Sequence, residues 1–124
     1  MAMFEKSTWI RLPRNVVVGH DVLGEVGAVV ADSHLSGRPL VVTSPTPRAV
    51  AGDRVMELLK SEGLDPQMTV VESATFESVE QVLEEARLAD AGYLIGVGGG
   101  KAIDIAKMAS DDMGVGFVSV PTAA

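Results

Sequence analysis

A glycine-rich segment is the part of this sequence best suited to chemistry. Residues 96–101 read Gly-Val-Gly-Gly-Gly-Lys and lie between an apolar run at 93–95 and a helical pattern at 102–108. Glycines at a strand-to-helix turn let an anion approach backbone N–H groups at the positive end of the helix dipole. Lys101 would stand in the first helical turn, where a cation is disfavoured unless an anion is bound. The segment therefore favours a phosphate-binding loop over a plain glycine turn, which stays the alternative.

Two common phosphate-binding motifs do not fit this segment. A P-loop requires Ser or Thr after Gly-Lys, but Ala102 follows Lys101, and Ile95 stands where the first glycine would be. The ordinary dinucleotide fingerprint needs a third glycine at the position of Lys101 and belongs to the first strand-to-helix turn of a sheet. ATP hydrolysis is disfavoured, and the ordinary fingerprint is absent.

The composition limits the classes of partner. The chain has 124 residues, 47% of them hydrophobic, which suits one domain with one core. The net charge of -7 argues against nucleic acid and anionic membrane surfaces as partners. Without cysteine there is neither a disulfide nor a thiolate metal site, and no apolar run approaches the roughly 18 residues of a membrane span. We expect a cytoplasmic protein, and the acidic balance would suit a high-salt cytoplasm as well as an ordinary soluble surface.

The elements that must position the glycine segment alternate between strands and helices. Apolar runs predict strands at 16–18, 40–43, 68–71, 93–95 and 116–120. Helical patterns are predicted from Asp21, from Thr46 as N-cap with Pro47 and a stop at Gly63, from a capping box at Ser78, and after the glycine segment. This order predicts an α/β fold with a Rossmann-like open, mostly parallel sheet and helices on both faces. The glycine segment and residues 121–124 should then be neighbours at the carboxyl ends of the strands.

The decad at 98–107, Gly-Gly-Gly-Lys-Ala-Ile-Asp-Ile-Ala-Lys, resembles a known signature. It matches the Gly-Gly-Gly-x-x-x-Asp-x-x-Lys pattern of the iron- or zinc-dependent alcohol dehydrogenase and dehydroquinate synthase superfamily. The lysine after the glycines, with Phe-Val-Ser-Val-Pro-Thr-Ala-Ala at 117–124, looks most like the archaeal sn-glycerol-1-phosphate dehydrogenases. Residues 14–19 and 41–46 are also similar to the N-terminal half of that family, so the resemblance runs through nearly the whole chain.

The resemblance implies a nicotinamide cofactor site. The glycines and the start of the following helix would hold the diphosphate, and Lys101 would add a positive charge. Asp104 and the loop at 122–124 would lie beside the adenine, ribose or nicotinamide end, although Asp104 could instead be a first-turn acid paired with Lys107 or Lys101. The implied cofactor-binding residues are Gly98, Gly99, Gly100, Lys101, Ala102, Ile103, Asp104, Thr122, Ala123 and Ala124.

The identity of the dinucleotide stays open between NAD and NADP. NAD enzymes usually place a carboxylate just past the second strand, where this chain has Thr-Ser-Pro-Thr at 43–46. Hydroxyl recognition by Ser44 or Thr46, with Arg48 nearby, indicates use of both cofactors. Arg48 could equally be a solvated helix residue. His20 and His34 are expected to be surface or capping residues, because neither has a metal-pair spacing.

The activity that the resemblance implies is the NAD(P)H-dependent reduction of dihydroxyacetone phosphate to sn-glycerol-1-phosphate for archaeal membrane lipids. The partners would be the dinucleotide and a small phosphorylated ketone. Zinc would polarise the ketone, with Asp and His ligands in a helical second domain that this chain lacks, so no catalytic or metal-binding residue is assigned. We expect residues 1–124 to be one nucleotide-binding domain, truncated at its C-terminal end and with little or no activity alone.

Three alternatives remain open at this point. One is glycerol dehydrogenase or another metal-dependent polyol dehydrogenase, and a second is a lyase of the dehydroquinate synthase type. The third is a nucleotide-binding module without chemistry. Whether the full-length protein forms a homo-oligomer is also open.

Overall fold

A computed structural model describes residues 9–12, 15–18, 35–45 and 51–122 of the chain. The predicted helix from Asp21, the helix start at Thr46 and Pro47, and both histidines lie outside the described residues. The described part contains six strands and three helices, which we number in chain order: β1 (Trp9–Leu12), β2 (Asn15–Val18), β3 (Arg38–Thr43), α1 (Asp53–Ser61), β4 (Gln67–Val70), α2 (Phe76–Ala89), β5 (Ala91–Gly98), α3 (Gly100–Met113) and β6 (Gly116–Pro121).

The strands form one sheet in the order β1-β2-β6-β5-β3-β4. All neighbouring pairs are parallel except β1 and β2, which pair antiparallel from Trp9 opposite Val18 to Leu12 opposite Asn15. The predicted open, mostly parallel α/β sheet is therefore confirmed. The sequence predicted five strands, and the one it missed is β1, the antiparallel strand at the edge.

Successive side chains of a strand point to opposite faces of the sheet, and apolar side chains fill both faces here. One core contains Val55 and Leu59 of α1, packed with Val41, Ile95 and neighbouring strand residues. The other core contains α2 and α3 residues packed on the opposite strand positions, which are Leu40, Val42, Leu94 and Phe117. The helices α2 and α3 therefore lie on one face, and α1 lies on the other.

The helix ends agree with the predicted signals at one place and differ at another. Helix α1 stops at Ser61 and is followed by Gly63 with φ +83°, a conformation that glycine adopts easily, as predicted. The capping box predicted at Ser78 is wrong. Thr75 is the N-cap of α2, because its hydroxyl accepts from the Ser78 N–H at 3.2 Å, and the Ser78 hydroxyl donates to the Ser73 carbonyl at 2.5 Å.

The largest difference from the predicted strands is in β5. The apolar run ends at Ile95, but the strand continues to Gly98, so the first half of the glycine segment, residues 96–98, is strand rather than loop. Pairing with β6 holds this extension, with Gly96 opposite Ser119 and Gly98 opposite Pro121. Only Gly99 separates β5 from α3.

Candidate functional site

The sheet has a topological switch point between the carboxyl ends of β3 and β5, and we call this place the crevice. These strands are neighbours, but α1 follows β3 on one face of the sheet and α3 follows β5 on the other. The main-chain pairing of β3 with β5 ends at Val42 opposite Gly96. Open α/β sheets bind ligands at such a point, where adjacent strands send their connections to opposite faces. The topology therefore places the candidate site at the start of α3.

The hydroxyl of Thr43 links β3 to β5 at the base of this crevice. Thr43 is buried, and its Oγ1 donates to the carbonyl of Val97 at 2.9 Å, one step past the last main-chain pair. This contact joins β3 to β5 where their ladder has ended. Of the two hydroxyls predicted to recognise the ribose, Ser44 directly follows β3, and Thr46 lies outside the described residues.

On its other side, β5 stays paired with β6 up to the end of the strand. Gly98 is opposite Pro121, and the Thr122 N–H donates to the Gly98 carbonyl at 3.0 Å. The prediction that the glycine segment and the segment after β6 are neighbours is therefore confirmed. Ala123 and Ala124, also predicted to bind the cofactor, lie outside the described residues.

Gly96 and Gly98 are required by the fold, the first for close packing and the second for its backbone conformation. A Cβ on Gly96 would lie 3.1 Å from the Ala106 Cβ, 3.1 Å from the Ile103 Cα and 3.3 Å from the Phe117 ring. A side chain there would push α3 away from the sheet. Gly98 has φ +133°, which residues with a side chain rarely adopt. These two glycines are explained by the packing and path of the chain.

Gly99 and Gly100 have no such explanation. A Cβ on either residue would meet no atom within 4 Å. Both glycines are exposed, and Gly99, as the N-cap of α3, offers no side-chain acceptor. The first intrahelical bond runs from the Ile103 N–H to the Gly99 carbonyl at 3.3 Å, so the N–H groups of the first turn point outward without helical partners. The arrangement leaves room for an anion against the positive end of the helix.

Lys101 lies in that first turn and faces the end of β4. Its Nζ donates to the carbonyl of Glu72 at 3.1 Å. None of the ion pairs between described residues involves Lys101 or Asp104, so the structure does not support the predicted pairing of Asp104 with a lysine. Lys107 pairs with Asp111 at 3.4 Å instead.

Lys107 has a structural position although it belongs to the matched signature. Its Nζ lies 5.9 Å from the centroid of the Phe117 ring, a cation–π distance. It stands six residues after Lys101, which is about 9 Å further along the helix axis. Lys101 and Asp104 therefore lie on the first turns of α3 near the crevice, whereas Lys107 holds the helix to β6.

Other features of the described residues do not compete with this site. A hollow of about 540 Å³ between the C-terminal parts of α2 and α3 is lined by four carboxylates and one guanidinium, from Glu80, Glu84, Asp90, Asp112 and Arg87. Its negative charge does not suit a phosphate group. Within the described ranges, no three His, Cys, Asp or Glu side chains are grouped to hold a metal ion. No helix there is long and apolar enough to cross a membrane.

The sequence did not reveal two contacts that shape the crevice. The Thr43 hydroxyl bond to Val97 had a weak signal, a threonine at the end of an otherwise apolar strand. The Glu72 carbonyl gave none, because a main-chain acceptor carries no residue-specific pattern.

Known proteins are similar to this chain in sequence and in fold. Residues 17–124 match the family model described as iron-containing alcohol dehydrogenase. The chain is 69% identical over 122 residues to a glycerol-1-phosphate dehydrogenase [NAD(P)+] of Halobacterium salinarum, covering 98% of this chain and 35% of that protein. It is 47% identical over 116 residues to the protein of the same name from Methanosarcina barkeri, covering 94% of this chain and 33% of the relative.

A solved structure confirms the fold. The crystal structure of glycerol dehydrogenase from Schizosaccharomyces pombe superposes with a TM-score of 0.75 at 20% identity, covering 88% of this chain and 28% of that one. The chain thus spans about a third of the length of the curated relatives it matches. The family match over most of the chain, the parallel sheet and the open glycine turn at α3 agree, and the chain belongs to the iron-containing alcohol dehydrogenase family.

Proposed function

We propose that this chain is the cofactor-binding domain of an NAD(P)-dependent glycerol-1-phosphate dehydrogenase. The observation that carries the proposal is the 69% identity to a relative with that name over 98% of the chain. The crevice supports it, because the N-terminus of α3 has no side-chain cap and has open space at Gly99 and Gly100. This chain covers 35% and 33% of the two curated relatives, so we propose the activity for the full-length protein and not for residues 1–124 alone.

The described residues fit a dinucleotide diphosphate. Gly99 and Gly100 leave the space that a side chain would fill, and the first-turn N–H groups from Gly100 to Ala102 can donate to its oxygens. Gly98 turns the chain out of β5, and its carbonyl fixes Thr122 beside the same edge. Ile103 supports the turn from below, where its Cα lies against Gly96.

The two ends of the cofactor would extend to opposite sides of this turn. Toward β3, Ser44 is the described hydroxyl beside the crevice, and no carboxylate follows β3 within residues 43–45. This supports the use of both NAD and NADP, in keeping with the names of the relatives. Toward β6, Thr122 and the following alanines would lie beside the other half, and Asp104 could accept a hydrogen bond one turn along α3.

The reaction would be hydride transfer to the ketone of dihydroxyacetone phosphate. Zinc would supply Lewis-acid polarisation of that ketone in the complete enzyme. The described residues offer no metal cluster, so its ligands would come from elsewhere in the protein. The role of this chain is to bind and orient the dinucleotide, and we place the protein in the cytoplasm.

An activity assay tests the proposal. The full-length protein is incubated with NADPH or NADH and either dihydroxyacetone phosphate or unphosphorylated dihydroxyacetone. Oxidation of the cofactor is measured as the loss of absorbance of its reduced nicotinamide. We expect turnover with the phosphorylated ketone, formation of the sn-1 isomer, and little or no turnover by residues 1–124 alone. Turnover only with the unphosphorylated ketone would replace the proposal by a glycerol dehydrogenase. No nucleotide binding by the folded protein would refute it.

A further inference from the structure

We propose that Lys101 is a specificity-determining residue that binds the 2′-phosphate of NADP, rather than a general contact to the diphosphate. The inference rests on the proposed dinucleotide site and assigns one side chain within it. It starts from the direction in which this side chain is held.

The Lys101 ammonium is held on the β4 side of the crevice. Its Nζ lies 3.1 Å from the Glu72 carbonyl, just past the end of β4. In the sheet order β6-β5-β3-β4, that position is two strands from β5 and on the side opposite to β6 and Thr122. With neighbouring strands about 4.8 Å apart, β4 lies about 10 Å from the strand that carries the glycine turn. The ammonium therefore extends away from the space in front of Gly99 and Gly100.

The adenosine ribose belongs on this same side. In doubly wound sheets, the ribose 2′-hydroxyl is read just past the strand next to the glycine turn, which is β3 here. The diphosphate on α3 and a ribose at the end of β3 would direct the 2′-position toward β4. The ammonium of Lys101 supplies a positive charge at that place.

The charge on Lys101 is available to a ligand. A neutral carbonyl holds the ammonium, and no carboxylate of the described residues is within ion-pair distance of it. The other lysine of this helix, Lys107, has a carboxylate partner in Asp111 and a ring partner in Phe117. A phosphate with two negative charges gains from an unneutralised ammonium, whereas a ribose hydroxyl gains little. This difference would let one site take both cofactors.

Binding measurements with Lys101→Met test the assignment. Dissociation constants for NADPH and NADH are measured on the full-length protein by quenching of intrinsic fluorescence or by calorimetry. We expect the dissociation constant for NADPH to rise about tenfold in Lys101→Met, as for the loss of one exposed charge-assisted contact, and that for NADH to change less than twofold. Lys101→Arg should keep most of the NADPH affinity, since it restores the charge.

Lys107→Met is the matched control, because it removes a lysine from the same helix outside the crevice. It should change neither dissociation constant, and circular dichroism should show that both variants are folded. An equal loss of NADPH and NADH affinity in Lys101→Met would assign the side chain to the diphosphate and overturn the inference while leaving the proposed function intact. Unchanged affinity for both would also overturn it. A wild-type protein that binds neither nucleotide would overturn the inference together with the proposed function.

Discussion

Replacing Gly100 by alanine should separate folding from cofactor binding. A Cβ at this position meets no atom within 4 Å, and the residue is the first of α3. Alanine loses less backbone entropy in a helix than glycine, by about 0.5–1 kcal/mol in a helix interior and less at the first position. The free energy of unfolding should therefore stay unchanged or rise by up to about 0.5 kcal/mol. The added methyl group would occupy the space assigned to the diphosphate, and the affinity for dinucleotide should fall about tenfold or more.

Gly96→Ala should have the opposite effect. Its Cβ would lie 3.1 Å from the Ile103 Cα, which belongs to the helix backbone and cannot rotate away. Overpacking of this kind costs about 1–3 kcal/mol, so the midpoint of urea unfolding should drop clearly. Urea titrations followed by circular dichroism give the stabilities of both variants, and nucleotide titrations below the transition give their affinities.

The comparison of the two variants decides the roles of the glycines. The reasoning is refuted if Gly100→Ala destabilises the protein as much as Gly96→Ala, because Gly100 would then be required by the fold. It is refuted equally if Gly100→Ala and Gly99→Ala both fold and bind dinucleotide with unchanged affinity.

Three further predictions concern stability. Thr43→Val should lower the free energy of unfolding by about 1–3 kcal/mol in denaturant titrations, because the buried Val97 carbonyl loses its donor, and Thr43→Ser should recover much of it. Burial raises the pKa of Tyr93 to about 12 from 10.0, so stability should fall as the pH rises from 10 toward 12, where only the unfolded state is ionised. Tyr93→Phe should remove that loss and cost little at pH 7, since its hydroxyl has no described partner; an unchanged pH profile would contradict this. The net charge of -7 makes the folded chain repel itself, and salt screens this repulsion, so the temperature midpoint of unfolding should rise as KCl is increased from about 0.05 to about 1 M. A fall in that midpoint would show that repulsion between the acidic side chains is unimportant.

The sequence predicted the parallel sheet because its strands are apolar runs separated by helical periods, which is a strong pattern. It also predicted that residues 98–101 and Thr122 meet, since both follow neighbouring parallel strands. The end of β5 was misplaced because glycine has a low strand propensity, and pairing with β6 overrides that preference.

Contacts between parts of the chain decided the other differences. Thr75 and Ser78 both carry a hydroxyl suited to an N-cap, and only the three-dimensional path of the chain selects Thr75. The edge strand β1 has four residues and depends on antiparallel pairing with β2, a contact that its own sequence does not specify. The direction of the Lys101 side chain depends on a main-chain carbonyl at Glu72, which no residue pattern could indicate.

The central claim is that the first-turn N–H groups of α3 hold the dinucleotide diphosphate. Amide chemical shifts of the ¹⁵N-labelled protein, recorded while NADH is added, test it most directly. The account predicts that the largest shifts fall on Gly99, Gly100, Lys101 and Ala102, with smaller shifts at Thr122. Saturable binding that shifts other amides and leaves these unchanged would contradict the account.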